Sequence, residues 1–137
     1  NLLNNIDPQS VYPAKAVSIN NRVISVKGVG KGVIWFDFGA LCGGTRSKSD
    51  YVELSKTFHT LLLSEVPILT EEDDNAARRF IDLIDELYDR KVNIFIVAES
   101  APNGLYRGTR LKDDFKRTAS RLIEIQSSEY LALAHRP

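Results

Sequence analysis

Residues 60–98 read T-L-L-L-S-E-V-P-I-L-T-E-E-D-D-N-A-A-R-R-F-I-D-L-I-D-E-L-Y-D-R-K-V-N-I-F-I-V-A. Thr60–Val66, led by Leu61-Leu62-Leu63 and stopped by Pro67, reads as a buried strand. Thr70 then precedes Glu71, Glu72, Asp73 and Asp74. A hydroxyl followed by anions marks a helix start, where the dipole favours negative charge. Ala77, Phe80, Ile84, Leu87 and Tyr88 fall on one helical stripe. Val92–Ala98 is a further buried strand. Strand, long helix, strand is the unit from which parallel sheets are built.

The flanking sequence extends this unit. Val33–Phe38 is another apolar run, β-branched and aromatic, and reads as a buried strand followed by Gly43-Gly44 and a polar loop. Asp50 with Glu53 resembles a capping box that opens a short helix to about Thr57. Leu111, Phe115, Ala119, Leu122 and Ile125 define a last amphipathic helix, with broken periodicity on to Leu133. Before these, Ala14–Ile19 and Arg22–Val29 flank Asn20-Asn21 and read as a β-hairpin, because asparagine tolerates left-handed backbone angles. Residues 1–13 are rich in Asn, Pro and Ser and read as a linker. The expectation is an α/β fold over residues 14–137: a mainly parallel sheet with flanking helices and an N-terminal β-hairpin.

Composition narrows the function. The chain has 137 residues, 43% hydrophobic and 26% charged, which suits one globular domain with a proper core. No run approaches a membrane span, so stable membrane insertion is not expected. Lys plus Arg equals Asp plus Glu, 18 each, which disfavours a generic nucleic-acid binder. The charge is nonetheless segregated: the ends are basic and residues 59–101 are acidic. One cysteine, Cys42, excludes an internal disulfide framework and suits a reducing compartment. The absence of methionine suggests a processed product or a fragment.

Candidate chemistry is sparse. Gly28-Val29-Gly30-Lys31-Gly32 lacks the spacing of a phosphate loop and joins two strands, so it reads as a turn. Cys42 has only His59 and His135 as candidate bases and reads as a small buried hydrophobe. Widely spaced His and Cys give no metal site. Open α/β sheets bind ligands at the carboxyl ends of their strands, which makes Glu65 and Glu99 candidates; two solvated loop carboxylates are the plainer reading. Arg78 and Arg79 lie towards the positive end of their helix, and Asp85, Glu86 and Asp89 towards its negative end. Both placements oppose the dipole at roughly 0.3–1 kcal/mol per exposed charge. An i,i+4 pair such as Arg78 with Asp82 returns less than that. Either an external partner or a salt bridge to a neighbouring element accounts for the order. Arg117 and Arg121 are four apart and face one another, with Asp113 and Glu124 spaced to neutralise them.

Ala77 to Asp89, A-R-R-F-I-D-L-I-D-E-L-Y-D, and Phe115 to Leu131, F-K-R-T-A-S-R-L-I-E-I-Q-S-S-E-Y-L, carry a resemblance. With Asp50-Tyr51 and Phe58-His59-Thr60 they resemble the C-terminal part of the AFG-one-like AAA+ ATPase family, in particular its bacterial cell-division member. The match runs from about residue 14 to the end; Ile125 departs from the methionine expected there. The resemblance implies a P-loop-like fold without the P-loop, since the Walker A loop and acidic Walker B strand lie upstream in the family. Ser64 stands where the metal-holding aspartate of a Walker B strand would be needed.

The resemblance further implies a cytoplasmic parent at the division site that uses ATP and Mg, with FtsZ as partner and the N-terminal ATPase part in the same protein. No catalytic residue and no cofactor are expected in this chain alone. Arg78, Arg79, Arg117 and Arg121 match the family's motifs and are candidate nucleotide-sensing groups, the last two preferred by their order along the chain. The alternative is a non-enzymatic interaction module docking a partner through Asp85 and Glu86. A small α/β enzyme working at Glu65 and Glu99 is a third reading.

Overall fold

A computed structural model describes residues 11–13, 16–44 and 46–125. Seven strands occur in it: β1 Val11–Pro13, β2 Ala16–Ile19, β3 Arg22–Ser25, β4 Gly28–Gly30, β5 Val33–Asp37, β6 Thr60–Val66 and β7 Asn93–Ala98. The helices are α1 Phe38–Cys42, α2 Lys48–Thr57, α3 Asp74–Asp89 and α4 Lys112–Ile125, with short 3-10 turns at Glu71–Asp73 and Pro102–Gly104. One sheet has the order β1-β4-β5-β6-β7, and β2-β3 stand apart as a two-stranded sheet.

The expected α/β architecture is observed. Strands β5, β6 and β7 run parallel, in the register Ile34–Leu61–Ile94 and Phe36–Leu63–Ile96. The same register places Ile34, Phe36, Leu61, Leu63 and Ile94 in one core cluster with Leu41, Leu54, Phe80, Ile84, Leu87 and Leu122 of the helices. One sheet face is thereby closed by α1 to α4. The aromatic rings of Phe38 and Phe80, then Phe80 and Phe115, lie 5.9 Å apart between centroids. They tie α1, α3 and α4 together.

Several boundaries differ from expectation. The hairpin turns at Asn20 and Asn21 with φ of 51° and 65°, the left-handed pair of a type I′ turn. Its second strand ends at Ser25, however, and does not continue to Val29. Lys27 donates its backbone N–H to Trp35 O, and the chain enters the main sheet as β4, antiparallel to β5. Val11–Pro13, expected within a linker, pair with β4. Phe38 begins α1 and does not end β5. A five-residue helix is too short to show periodicity in sequence. The expected continuation of α4 to Leu133 lies outside the described residues.

Helix α2 begins one turn earlier than expected, and Asp50 is the third helical residue, not the cap. Ser47 is the cap, and its N–H donates to Asp50 Oδ2 at 3.0 Å. The Asp50 carboxylate is fully buried and also accepts from Asn20 Nδ2 and from Arg22 at 3.0 Å, which latches the hairpin onto α2. Removing it deletes a capping box and one half of a partly buried ion pair. Asp50→Ala is therefore expected to lower stability by about 2–4 kcal/mol in urea unfolding. A loss no larger than that of a surface substitution would show that the latch is not stabilising.

Candidate functional site

The carboxyl ends of β5, β6 and β7 hold Asp37, Ser64, Glu65 and Glu99. Ser64 Oγ donates to Asp37 Oδ1 at 2.8 Å, and Trp35 Nε1 donates to Ser64 Oγ at 3.0 Å. Lys27 pairs with Asp37 at 3.3 Å and lies over the Trp35 ring. This polar chain was not legible in the sequence, because its members come from three segments that only strand register brings together. Glu65 has a φ of 58°, where the β6–β7 register shifts between Leu63 and Val66. Such a left-handed conformation costs a non-glycine residue about 1–2 kcal/mol. Glu99 donates its N–H to Val66 O, so the two glutamates share this edge, and both are exposed.

The arginines and aspartates form a ladder between α3 and α4. Arg78 pairs with Asp114 at 2.6 Å, one turn from the start of each helix. Further along, Asp85 accepts from both Arg117 and Arg121. Partners advance together along the two helices, so the helices run parallel. Each helix therefore supplies counter-ions to the other at two levels along the pair. The sequence pairs Arg78–Asp82, Arg117–Asp113 and Arg121–Glu124 give way to these cross-helix pairs. Arg121 also stacks over Tyr88, 4.8 Å from the ring centroid. Arg79 turns the other way and donates to Cys42 O at 3.1 Å, capping a carbonyl at the end of α1. The dipole-opposed placement of Arg78, Arg79 and Asp85 on α3 thus has partners inside the fold. Glu86 is half-buried on the same helix.

Other candidates resolve by position. Burial pushes the Cys42 thiol up to about 12, with a Tyr51 hydrogen bond only partly offsetting it. A thiol so far from ionisation at neutral pH is no nucleophile. Gly28–Gly30 is strand β4, and Gly32 O accepts from His59 N and Thr60 N in the turn that follows. These groups serve strand pairing and no helix follows them, so they do not fit a triphosphate cradle. Among the described residues, no cluster of three or more His, Cys, Asp or Glu side chains is placed to hold a metal. His135 lies outside those residues. No helix among them is long and apolar enough to cross a membrane.

The parallel three-strand core and the helical layer over one of its faces define an α/β domain. The sequence model of the AFG1-like ATPases matches residues 1–134, and the chain belongs to that family. It is 43% identical over 119 residues to the cell division protein ZapE of Escherichia coli K12, covering 87% of this chain. It is 33% identical over 90 residues to an uncharacterized protein of Schizosaccharomyces pombe, covering 66% of this chain and 20% of that one. It is 28% identical over 125 residues to a lactation elevated protein 1 homolog of Danio rerio, covering 68% of this chain and 25% of that one. The chain spans 32% of the length of the E. coli relative. No solved structure matches it significantly.

Proposed function

We propose that this chain is the C-terminal part of a ZapE-like ATPase that acts in bacterial cell division at the FtsZ ring. Its 43% identity to ZapE across 87% of the chain carries the reading. In this reading the parent is cytoplasmic and binds ATP and Mg mostly through its N-terminal part. The chain supplies partner contacts and an arginine to that site. The strand-paired Gly28–Gly32 segment, which offers no phosphate cradle, supports the assignment of nucleotide to the other part.

The geometry ranks the four arginines. Arg79 caps α1, and Arg121 is held by both Asp85 and the Tyr88 ring. Arg78 is held by a close contact to Asp114. Arg117 makes a single contact of 3.4 Å to a carboxylate that keeps Arg121 when it leaves, and its side chain is 56% exposed. Breaking an exposed pair of this kind costs about 0–1 kcal/mol. Arg117 is therefore the arginine least held by the fold, and in this reading it is the one that acts on the developing phosphoryl charge. The interaction-module alternative is the weaker one, because Asp85 of its docking face is already matched by two guanidinium groups. Glu86 remains as its carboxylate.

The test is ATP turnover by the full-length protein. Arg117→Ala is expected to lower kcat at least about tenfold with KM for ATP little changed, since arginines acting on the transferring phosphoryl group contribute up to about 10³–10⁵. Arg79→Ala is expected to lower stability while activity per folded molecule is kept. Unchanged kcat in Arg117→Ala removes Arg117 from the nucleotide site.

A further inference from the structure

At the amino ends of β6 and β7, opposite the edge described above, an open cleft of about 390 Å³ lies between the ends of α2 and α3. Its rim carries Lys56, His59, Arg90 and Lys91, with Phe58 beside them and no acidic side chain in the lining. Lys56, His59, Arg90 and Lys91 are all exposed, and none belongs to an ion pair among the described residues. Helix C-terminal ends attract cations for structural reasons alone. Two helix C-termini present about half a negative charge each, together about one. Lys56, Arg90 and Lys91 bring three fixed positive charges to the rim, while Glu53, Glu86 and Asp89 near the ends of the same helices do not line the cleft.

Lys91 strengthens the case. Its φ is 57°, and its N–H donates to Tyr88 O while Val92 N–H donates to Leu87 O. This is a Schellman ending with lysine at the left-handed position, where glycine avoids the Cβ penalty. The lysine there is not explained by the turn.

We propose that this cleft binds an extended, acidic peptide segment of a partner protein. Two features select that ligand over a compact phosphate. The rim N–H groups of Phe58, His59, Arg90, Lys91 and Val92 all donate to backbone carbonyls, so no amide nest is available. The cations are spread over two chain segments, 55–59 and 90–92, around the half-buried Phe58, which suits spaced carboxylates with an apolar contact between them. This inference concerns a different edge of the sheet and does not depend on the nucleotide reading.

The experiment is a titration of the isotope-labelled chain with a short peptide of Asp and Glu around one Phe, read by amide chemical shifts at low salt. Shifts are expected at residues 55–59 and 90–92, with affinity that falls as salt rises. Arg90→Gln combined with Lys91→Asn keeps the left-handed turn and is expected to weaken binding about tenfold. Lys112→Gln with Lys116→Gln, on α4, is expected to leave it unchanged. Shifts confined to other residues, or affinity indifferent to the first pair of changes, would overturn the proposal. So would tighter binding of inorganic tripolyphosphate or of a single-stranded oligonucleotide at the same residues.

Discussion

Phe80→Ala is expected to destabilise the chain by about 3–5 kcal/mol, the range for deleting a fully buried aromatic ring. Phe80 has no exposed surface, and its ring meets Phe38 of α1 at a tilt of 51° and stacks on Phe115 of α4 at 17°. Each such ring pair adds about 0.5–1.5 kcal/mol beyond the area it buries. Phe80→Leu keeps most of the volume and is expected to cost roughly half as much. The consequence reaches the charged surface. The ring holds α3 against α4 beneath the Arg78–Asp114 and Asp85–Arg117–Arg121 contacts, so a cavity there lets the ladder drift apart. Urea unfolding with an unchanged dependence on denaturant is the measurement. A loss below about 1 kcal/mol would mean that neighbouring side chains collapse into the space and that the ring is not what aligns the helices.

The parallel core was legible because its signals are long and redundant. Thr60–Val66 and Val92–Ala98 are mainly apolar stretches, and the stripe from Ala77 to Tyr88 repeats over three turns. Local chemistry was legible where one or two residues dictate backbone angles, as at Asn20-Asn21. What stayed hidden depends on contacts between distant residues. Nothing near Asp37 in sequence points to Ser64; the parallel register of β5 and β6 supplies that neighbour. Nothing near Asp85 points to Arg117, because helical spacing offers nearer acids and bases that satisfy the same rule. The dipole argument correctly found that the charge order on α3 needed a partner. It could not tell a neighbouring helix from an external ligand, since both present the same compensating charge. Asp50 was read as a cap because its spacing to Glu53 mimics the motif. Ser47 three residues before it forms the real one, and only the path of the loop into α2 separates the two.

The chain is also expected to lose stability steeply in alkali, and the loss follows from two neighbouring buried acids. Desolvation pushes the Cys42 thiol up from 9.0 to about 12, with Tyr51 and the guanidinium groups of Arg79 and Arg46 pulling the other way. The Tyr51 phenol is pushed above its ordinary value, first by burial and then by Cys42. Its OH donates to Leu41 O at 2.8 Å, a bond that ionisation would break. The unfolded chain ionises the thiol near pH 9 while the folded chain holds the proton. The thiol's contribution is therefore fully present below about pH 9 and is lost as pH rises towards 12, at about 1.4 kcal/mol per unit and about 4 kcal/mol in all. Cys42→Ala isolates the thiol: its stability is expected to start slightly below the parent's at pH 8 and to overtake it by about pH 11. Curves that stay parallel over that range would show that the thiol already ionises in the folded chain. Rapid alkylation of Cys42 in native buffer would carry the same message, because a protonated thiol against Tyr51 reacts only when α1 opens. The same burial that makes the fold sensitive to alkali keeps this thiol out of any chemistry at neutral pH. The functional question then rests with the charged edges of the sheet.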